Sequence, residues 1–179
     1  TGYTDYRKRL SLLKSGKPLV VIRKSNNYVL VQFIQYDEKG DKILYSVNSK
    51  DLEKLGWGYK KNNLPACYLI GLLAGLKAKK STKEAVADIG LYQSTRGSKL
   101  YAVLKGIRDA GITICISDKV MPDDARISGK HISSFAKDLR EKDKSRFDKT
   151  FSYCIKKKLD LEKMPEVFDE VKKKIMENK

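Results

Sequence analysis

The side chains best suited to chemistry in this chain are cations that alternate with aromatic and amide groups near its start. Residues 1–36 contain seven Lys and Arg and one Asp, a local net charge of +6. Arg and Lys bind phosphates with little sequence reading, Asn and Ser can bond sugars or bases, and Tyr can stack on unpaired bases. The pattern predicts an RNA-binding surface, although a solvated helix face and an ordinary turn would look similar. The candidates are Tyr3, Arg7, Lys8, Arg9, Lys14, Lys17, Arg23, Lys24, Ser25, Asn26 and Asn27.

Three later segments carry the same chemistry. They contribute Trp57, Lys60 and Lys61, then Arg96, Ser98 and Lys99, and finally Lys130 and His131. Residues 96–99 begin a predicted helix, where unpaired N–H groups and the helix dipole favour phosphate. The alternative for that segment is a capped helix start with two exposed cations. Trp57, the only tryptophan, could instead be a core anchor, and His131 could be an ordinary surface residue.

Catalytic residues are not predicted. His131 is the only histidine, and no GxSxG motif accompanies it, so a serine-type triad has no support. A ribonuclease H-like nuclease would need several carboxylates converging on metal ions. Only Asp88 lies on a predicted central strand, because Asp37 and Asp41 belong to a turn.

A metal site or cofactor is not expected either. The three cysteines, Cys67, Cys115 and Cys154, are far apart and form no CxxC pair. We expect three reduced thiols.

Composition limits the partners. Lys and Arg number 38 against 22 Asp and Glu, giving a formal net charge of +16, while 41% of residues are hydrophobic. Such a charge favours polyanions, and the apolar fraction is enough for a real core. The longest uncharged run, residues 62–76, is shorter than the roughly 20 apolar residues that a membrane span requires. We therefore expect no membrane partner.

The elements that would position these groups form an α/β fold. Strands predicted at 19–22, 28–36 and 43–47 are joined by two tight turns, which indicates an antiparallel meander. Strands at 84–89 and 112–116 flank a helix over 99–110, which favours a parallel crossover. We expect a five-stranded mixed sheet of ribonuclease H-like or ribosomal type, with a buried helix over 65–79 packed on it.

The predicted organisation has four parts. The basic N-terminal helix segment is residues 1–17, with a helix over 5–14 capped by Thr4, and the mixed α/β core occupies 18–117. A charged linker or helical region covers 118–150. A helical extension covers 151–179, and its apolar stripe of Val167, Phe168, Val171 and Ile175 should dock on its own domain or on a neighbour.

Six motifs in chain order resemble the archaeal type of ribosomal protein eighteen of the large subunit. They are Thr-Asp-Tyr-Arg-Lys-Arg-Leu at 4–10, Leu-Lys-Ser-Gly-Lys-Pro at 13–18, Arg-Lys-Ser-Asn at 23–26, Gly-Trp at 56–57, Ala-Cys-Tyr-Leu-Ile-Gly-Leu-Leu-Ala-Gly at 66–75, and Ala-Asp-Ile-Gly-Leu at 87–91. The resemblance extends from residue 1 to about residue 136 and more loosely beyond. The family usually has His at the position of Asn48 and Pro near Ser94, so contacts at those two places are not carried over.

This resemblance implies a structural constituent of the large subunit of the cytoplasmic ribosome. The implied partners are 5S ribosomal RNA in the central protuberance, the large-subunit ribosomal RNA, and neighbouring ribosomal proteins. The implied RNA-facing residues are 7–9, Lys14, Lys17, 23–26 and 96–99. A ribonuclease H-like processing enzyme and a generic RNA-binding module remain the alternatives.

Overall fold

A computed structural model describes residues 4–177. Its sheet has four strands in the order β3-β2-β1-β4. The strands are β1 (Leu19–Lys24), β2 (Val29–Gln35), β3 (Lys42–Asn48) and β4 (Val86–Asp88). β1 pairs antiparallel with β2 and parallel with β4, and β2 pairs antiparallel with β3. The predicted antiparallel meander and the mixed α/β sheet are confirmed.

The fifth strand predicted at 112–116 is wrong. Thr113 forms one isolated parallel bridge with Glu84, closed by hydrogen bonds from Ala85 N to Thr113 O (3.0 Å) and from Thr113 N to Lys83 O (2.9 Å). Among the described residues this bridge is the only pairing of 112–116 with the sheet, so no fifth strand forms. The apolar run at 112–116 instead supplies Ile112 and Ile114 to the core.

Eight helices accompany the sheet across the described residues. They are α1 (Tyr6–Leu13), α2 (Leu64–Ala78), α3 (Lys99–Asp109), α4 (Asp124–Ile127), α5 (Lys130–Lys142), α6 (Lys144–Thr150), α7 (Ser152–Lys156) and α8 (Met164–Glu177), with 3-10 helices at Ser49–Leu55 and Asp118–Val120. α1 is capped by Asp5, whose carboxylate accepts from Lys8 N at 3.0 Å, and not by Thr4 as predicted. A capping side-chain oxygen accepts from a backbone N–H two or three residues after it, and Asp5 meets this condition with Lys8.

α2 is the central helix, as its sequence predicts. Thirteen of its 15 residues are buried, and the Asn63 side chain caps its start by accepting from Ala66 N at 2.9 Å. Where α3 crosses α2, the backbones of the two helices are in direct contact. A Cβ added to Gly71 would lie 2.0 Å from the carbonyl oxygen of Val103, and one added to Gly106 would lie 2.3 Å from that of Tyr68. Only glycine permits this approach.

The two faces of the sheet are covered unequally. Val20, Phe33 and Val47 belong to the main core, which also contains the buried residues of α2 and α3. The opposite face has only a small cluster, in which Leu12 and Leu13 of α1 pack near Leu19, Val21 and Ile34. α1 buries no residue completely, so its basic side chains remain near the surface.

The charged region after residue 117 is largely helical and joins the main core. The apolar stripe of α8 docks on the chain itself: Phe168, Val171 and Ile175 are buried, and the Phe168 ring lies 5.7 Å from the Tyr68 ring on α2. No helix within residues 4–177 is long and apolar enough to cross a membrane.

Candidate nucleic-acid interface

A tight hairpin presents the amide side chains at the end of β1. The hydroxyl oxygen of Ser25 accepts from the backbone N–H groups of Asn27 (3.3 Å) and Tyr28 (2.9 Å). Ser25 N also donates to Tyr28 O at 2.8 Å. Serine favours such turns because its hydroxyl substitutes for backbone partners. The side chains of Asn26 and Asn27 are therefore left exposed at the tip.

Asn62 joins this hairpin to two other predicted segments. Its amide nitrogen donates to the carbonyl oxygens of Ser25 (2.6 Å) and Asn26 (3.0 Å). Its amide oxygen accepts from the Lys99 ammonium at 3.3 Å. The tip, the loop at 60–63 and the start of α3 thus meet, although they are separated by more than 30 residues in sequence.

The three segments enclose a cleft with a volume of about 540 Å³, which we name the lysine groove. Its lining residues are Asn26, Asn27, Tyr28, Lys60, Lys61, Asn62, Asn63, Lys99 and Tyr153. The amino-terminal ends of α2 and α3 both border it. Because unpaired N–H groups and the positive end of a dipole occupy those ends, the groove favours anions beyond the charge of its lysines.

The cations at the groove differ in whether a carboxylate pairs with them. Lys61 pairs with Glu53, which raises the pKa of the Lys61 ammonium. Lys24, Lys60 and Lys99 have no carboxylate within 4 Å among residues 4–177, so their charges are available to a ligand.

Lys24 lies close to the groove even though it does not line it. Burial raises the pKa of the Cys67 thiol on α2 to about 12, and the charges of both Lys99 and Lys24 oppose that shift. The Lys24 ammonium also lies 5.0 Å from the centre of the Tyr92 ring. Asn62 joins the two segments that carry these lysines, through the Ser25 carbonyl next to Lys24 and through the Lys99 ammonium.

Two tyrosine rings at the groove, those of Tyr28 and Tyr153, have lysine ammonium groups over their faces. The ammonium groups of Lys50 and Lys61 lie 4.5 and 5.4 Å from the Tyr28 ring centre, and that of Lys157 lies 5.3 Å from the Tyr153 ring centre. A cation over a ring face is attracted by the ring's quadrupole. A nucleobase that stacked on Tyr28 would have to displace the Lys50 and Lys61 ammonium groups, which would then be free to bind phosphates of the RNA.

The predicted cations of α1 and of the turn that follows it also differ in whether a carboxylate pairs with them. Arg9 pairs with Asp41 at 2.5 Å and Lys17 with Glu84 at 2.5 Å, and each pairing raises the pKa of the cation. Arg7 and Lys14 have no acidic partner in the described part of the chain and are exposed.

The loop after β4 ties α1 to the end of β1. The Lys8 ammonium donates to Gly90 O at 2.8 Å. The Tyr92 hydroxyl accepts from Lys24 N at 3.2 Å and donates to Lys24 O at 2.9 Å. The Arg23 guanidinium lies 3.7 Å from the Asp88 carboxylate. The basic helix and the hairpin are thus parts of one connected surface.

Two predicted contacts are wrong, and a third cannot be placed. Trp57 is 0% exposed and its indole N–H donates to Lys60 O at 3.3 Å, so it anchors the core beneath the groove. Ser98 is at the N-cap position of α3, but its hydroxyl is buried, makes no capping bond and does not reach the surface. Tyr3 lies outside the described residues.

Three further predicted residues, Arg96, Lys130 and His131, do not line the groove. Arg96 and Lys130 are exposed. His131 lines a separate apolar pocket together with Lys60, Asn63 and Tyr153. Partial burial, with the charge of Arg126, lowers the pKa of His131, so its ring is neutral at pH 7.

Sequence reasoning missed Asn62, Asn63 and Tyr153. Asn62 carried a usable signal, because it follows two lysines in a loop, which is the pattern that singled out Asn26 after Lys24. Tyr153 carried none, since it reaches the groove only because α7 packs there, about 90 residues along the chain.

Asn62→Ala should loosen the hairpin tip. The change removes two hydrogen bonds to backbone carbonyls and the Lys99 contact, so we expect the free energy of unfolding to fall by about 1 kcal/mol. Backbone amides of 25–28 should also exchange faster with solvent. Gln35→Ala, at the far end of β2, is the control. Equal exchange rates in wild type and Asn62→Ala would show that Asn62 does not hold the tip.

The carboxylates that a nuclease would need do not converge. Asp88 accepts from Gly90 N at 2.8 Å and faces Arg23, while Asp37 pairs with Lys42 and Asp41 with Arg9. Within residues 4–177 no cluster of three His, Cys, Asp or Glu side chains could hold a metal ion. Each of these acids has a structural partner instead.

Comparison with known proteins fits this geometry. Residues 1–86 match a family described as ribosomal large subunit proteins 60S L5 and 50S L18. The chain is 47% identical over 175 residues to the large ribosomal subunit protein uL18 of Korarchaeum cryptofilum, covering 97% of this chain and 89% of that protein. It is 48% identical over 176 residues to uL18 of Methanococcus maripaludis, covering 98% and 91%. These relatives are ribosomal proteins and not enzymes, and the chain belongs to the archaeal-type uL18 family of large ribosomal subunit proteins.

Proposed function

We propose that this chain binds 5S ribosomal RNA and helps to attach it to the central protuberance of the large subunit. The lysine groove is the principal contact, with α1 as a second. The observation that carries the proposal is the meeting of three basic segments around Asn62, where Lys24, Lys60 and Lys99 pair with no acid of residues 4–177. Three cations held about one cleft match a phosphate backbone better than scattered surface lysines do.

The amide groups support RNA as the ligand over a simple anion. Asn26 and Asn27 are exposed at the tip beside the groove, and each offers a donor and an acceptor to base edges or to the 2′-hydroxyl. The lysines would bind the phosphate backbone of the RNA, and the amides would form hydrogen bonds with the base edges or 2′-hydroxyls beside it.

The surface around α1 supports a second contact. Arg7 on α1 and Lys14 just after it are exposed, and α1 is only lightly packed against the sheet. Contacts of this surface with the large-subunit ribosomal RNA and with neighbouring ribosomal proteins belong to the same proposal. The strand order β3-β2-β1-β4, an antiparallel meander extended by a parallel strand, also supports a fold of ribonuclease H-like type.

The RNA recovered with the chain from cells tests this proposal. A tagged chain would be purified from an archaeal lysate after magnesium is chelated, so that the subunit loosens, and the bound RNA would be sequenced. We expect 5S ribosomal RNA to be enriched at least tenfold over its share of total RNA. Recovery of 5S and transfer RNA in the proportions of the lysate would contradict the proposal.

A further inference from the structure

An apolar pocket opens beside the lysine groove. Its volume is about 330 Å³, within the range of about 300–1,000 Å³ in which proteins enclose small molecules. α5 supplies Phe135 to its wall, and Phe151 and Tyr153 come from the turn into α7 and from α7 itself. With Tyr59, four of the twelve lining residues are therefore aromatic.

The walls are also held in place before any ligand arrives. The Tyr59 hydroxyl donates to Asp160 O at 2.5 Å, and that of Tyr153 donates to Gly58 O at 3.5 Å. The Phe135 and Phe151 rings lie 6.3 Å apart at an angle of 60°. A ligand would not have to order these rings, so binding would cost less conformational entropy.

The pocket and the groove adjoin each other. Lys60, Asn63 and Tyr153 line both of them. A strand whose phosphates lie along the lysine groove therefore passes the mouth of the pocket, where Phe135 is 49% exposed.

We propose that the pocket receives one unstacked base of the 5S ribosomal RNA bound in the groove. This inference rests on the proposed function and adds a base-reading site to it. Unpaired bases are recognised by stacking on aromatic side chains and by hydrogen bonds at their edges. The aromatic walls supply the stacking. Three polar side chains of the lining, Asn63, His131 and Thr150, supply the hydrogen bonds.

The polar groups suit a base edge. Asn63 uses its amide oxygen to cap α2, so its amide nitrogen is the part left to donate. The lowered pKa of His131 favours its neutral ring, in which one nitrogen can accept while the other is directed to the backbone of Ala125. The pocket surface is mostly apolar and suits the faces of a base, and the Lys60 ammonium at the rim favours a ligand that carries phosphate.

The test uses two pocket variants and one control. Phe135→Ala removes a stacking wall from a half-exposed position, so folding should be preserved. Ile132→Trp instead fills the pocket. Tyr36→Ala removes an aromatic ring of similar exposure (50%) at the other end of β2. Affinity for an archaeal 5S ribosomal RNA, its salt dependence and the reactivity of each unpaired base towards chemical modification would be measured.

Both pocket variants should bind 5S RNA about tenfold more weakly, with an unchanged salt dependence because no phosphate contact is lost. One base protected by the wild-type chain should become reactive, whereas Tyr36→Ala should behave as wild type. Wild-type affinity and protection in Phe135→Ala would overturn the inference.

Two further outcomes separate this inference from the proposed function. If the pocket variants bind 5S RNA normally but fail to enter large subunits, the occupant is a segment of a neighbouring protein and the inference is overturned. If the wild-type chain itself has no affinity for 5S RNA, the proposed function fails together with the pocket assignment.

Discussion

Gly71→Ala should destabilise the chain by about 3 kcal/mol, at the upper end of the usual cost of overpacking. The added Cβ would lie 2.0 Å from the carbonyl oxygen of Val103 and 2.9 Å from its Cα. These are backbone atoms of α3, so relief requires the two helices to move apart and not a side chain to rotate. In a chain of this size the melting temperature should fall by roughly 10 °C.

Gly58→Ala is the matched control for that experiment. The Cβ added there would also be close to a neighbour, but the neighbour is the flexible end of the Leu159 side chain at 3.1 Å. Its loss of stability should be clearly smaller. Equal melting temperatures for the two variants would mean that α2 and α3 do not meet at backbone distance.

Changing Lys24, Lys60 and Lys99 together to Gln should weaken binding to 5S ribosomal RNA about 100-fold, on the order of 1 kcal/mol for each charged hydrogen bond lost. The slope of log affinity against log salt should become shallower by about two to three units, since each phosphate contact contributes about 0.7 to 0.9. The three side chains face no carboxylate within 4 Å among the described residues, so the fold should lose little stability.

The control is the same change at three lysines away from the groove, Lys77, Lys83 and Lys163, all of which are exposed. Both triple variants lower the net charge by the same amount, so non-specific attraction falls equally. If the two variants lost affinity to the same extent, binding would depend on overall charge and not on the groove.

The local elements could be predicted because their signals are local. Turn residues after Lys24 and after Tyr36 marked two hairpins, and the nearly unbroken apolar run of 64–76 marked the central helix. The fifth strand was wrong because a short apolar run fits a buried strand and a buried loop equally well. What decides between them is the partner, and Thr113 finds only one residue to pair with.

The binding surface was predictable in its charge but not in its geometry. The sequence marks Arg9 and Lys17 as cations, but their partners Asp41 and Glu84 become neighbours only in the folded chain. Trp57 was assigned to RNA because its loop is basic, whereas the fold turns it inwards. Pattern analysis also had no means of locating the cleft that Asn62 closes, since that contact depends on the packing of α2 beneath the hairpin.

The most direct test of the central claim is competition binding at physiological salt. Wild-type chain bound to labelled 5S ribosomal RNA would be challenged with unlabelled 5S RNA or with transfer RNA. Specific binding should exceed the non-specific background by at least 10³-fold, within the range of specific nucleic-acid complexes. We expect transfer RNA to compete only at such an excess, and the groove variant to lose most of this preference. Equal competition by the two RNAs would contradict the account.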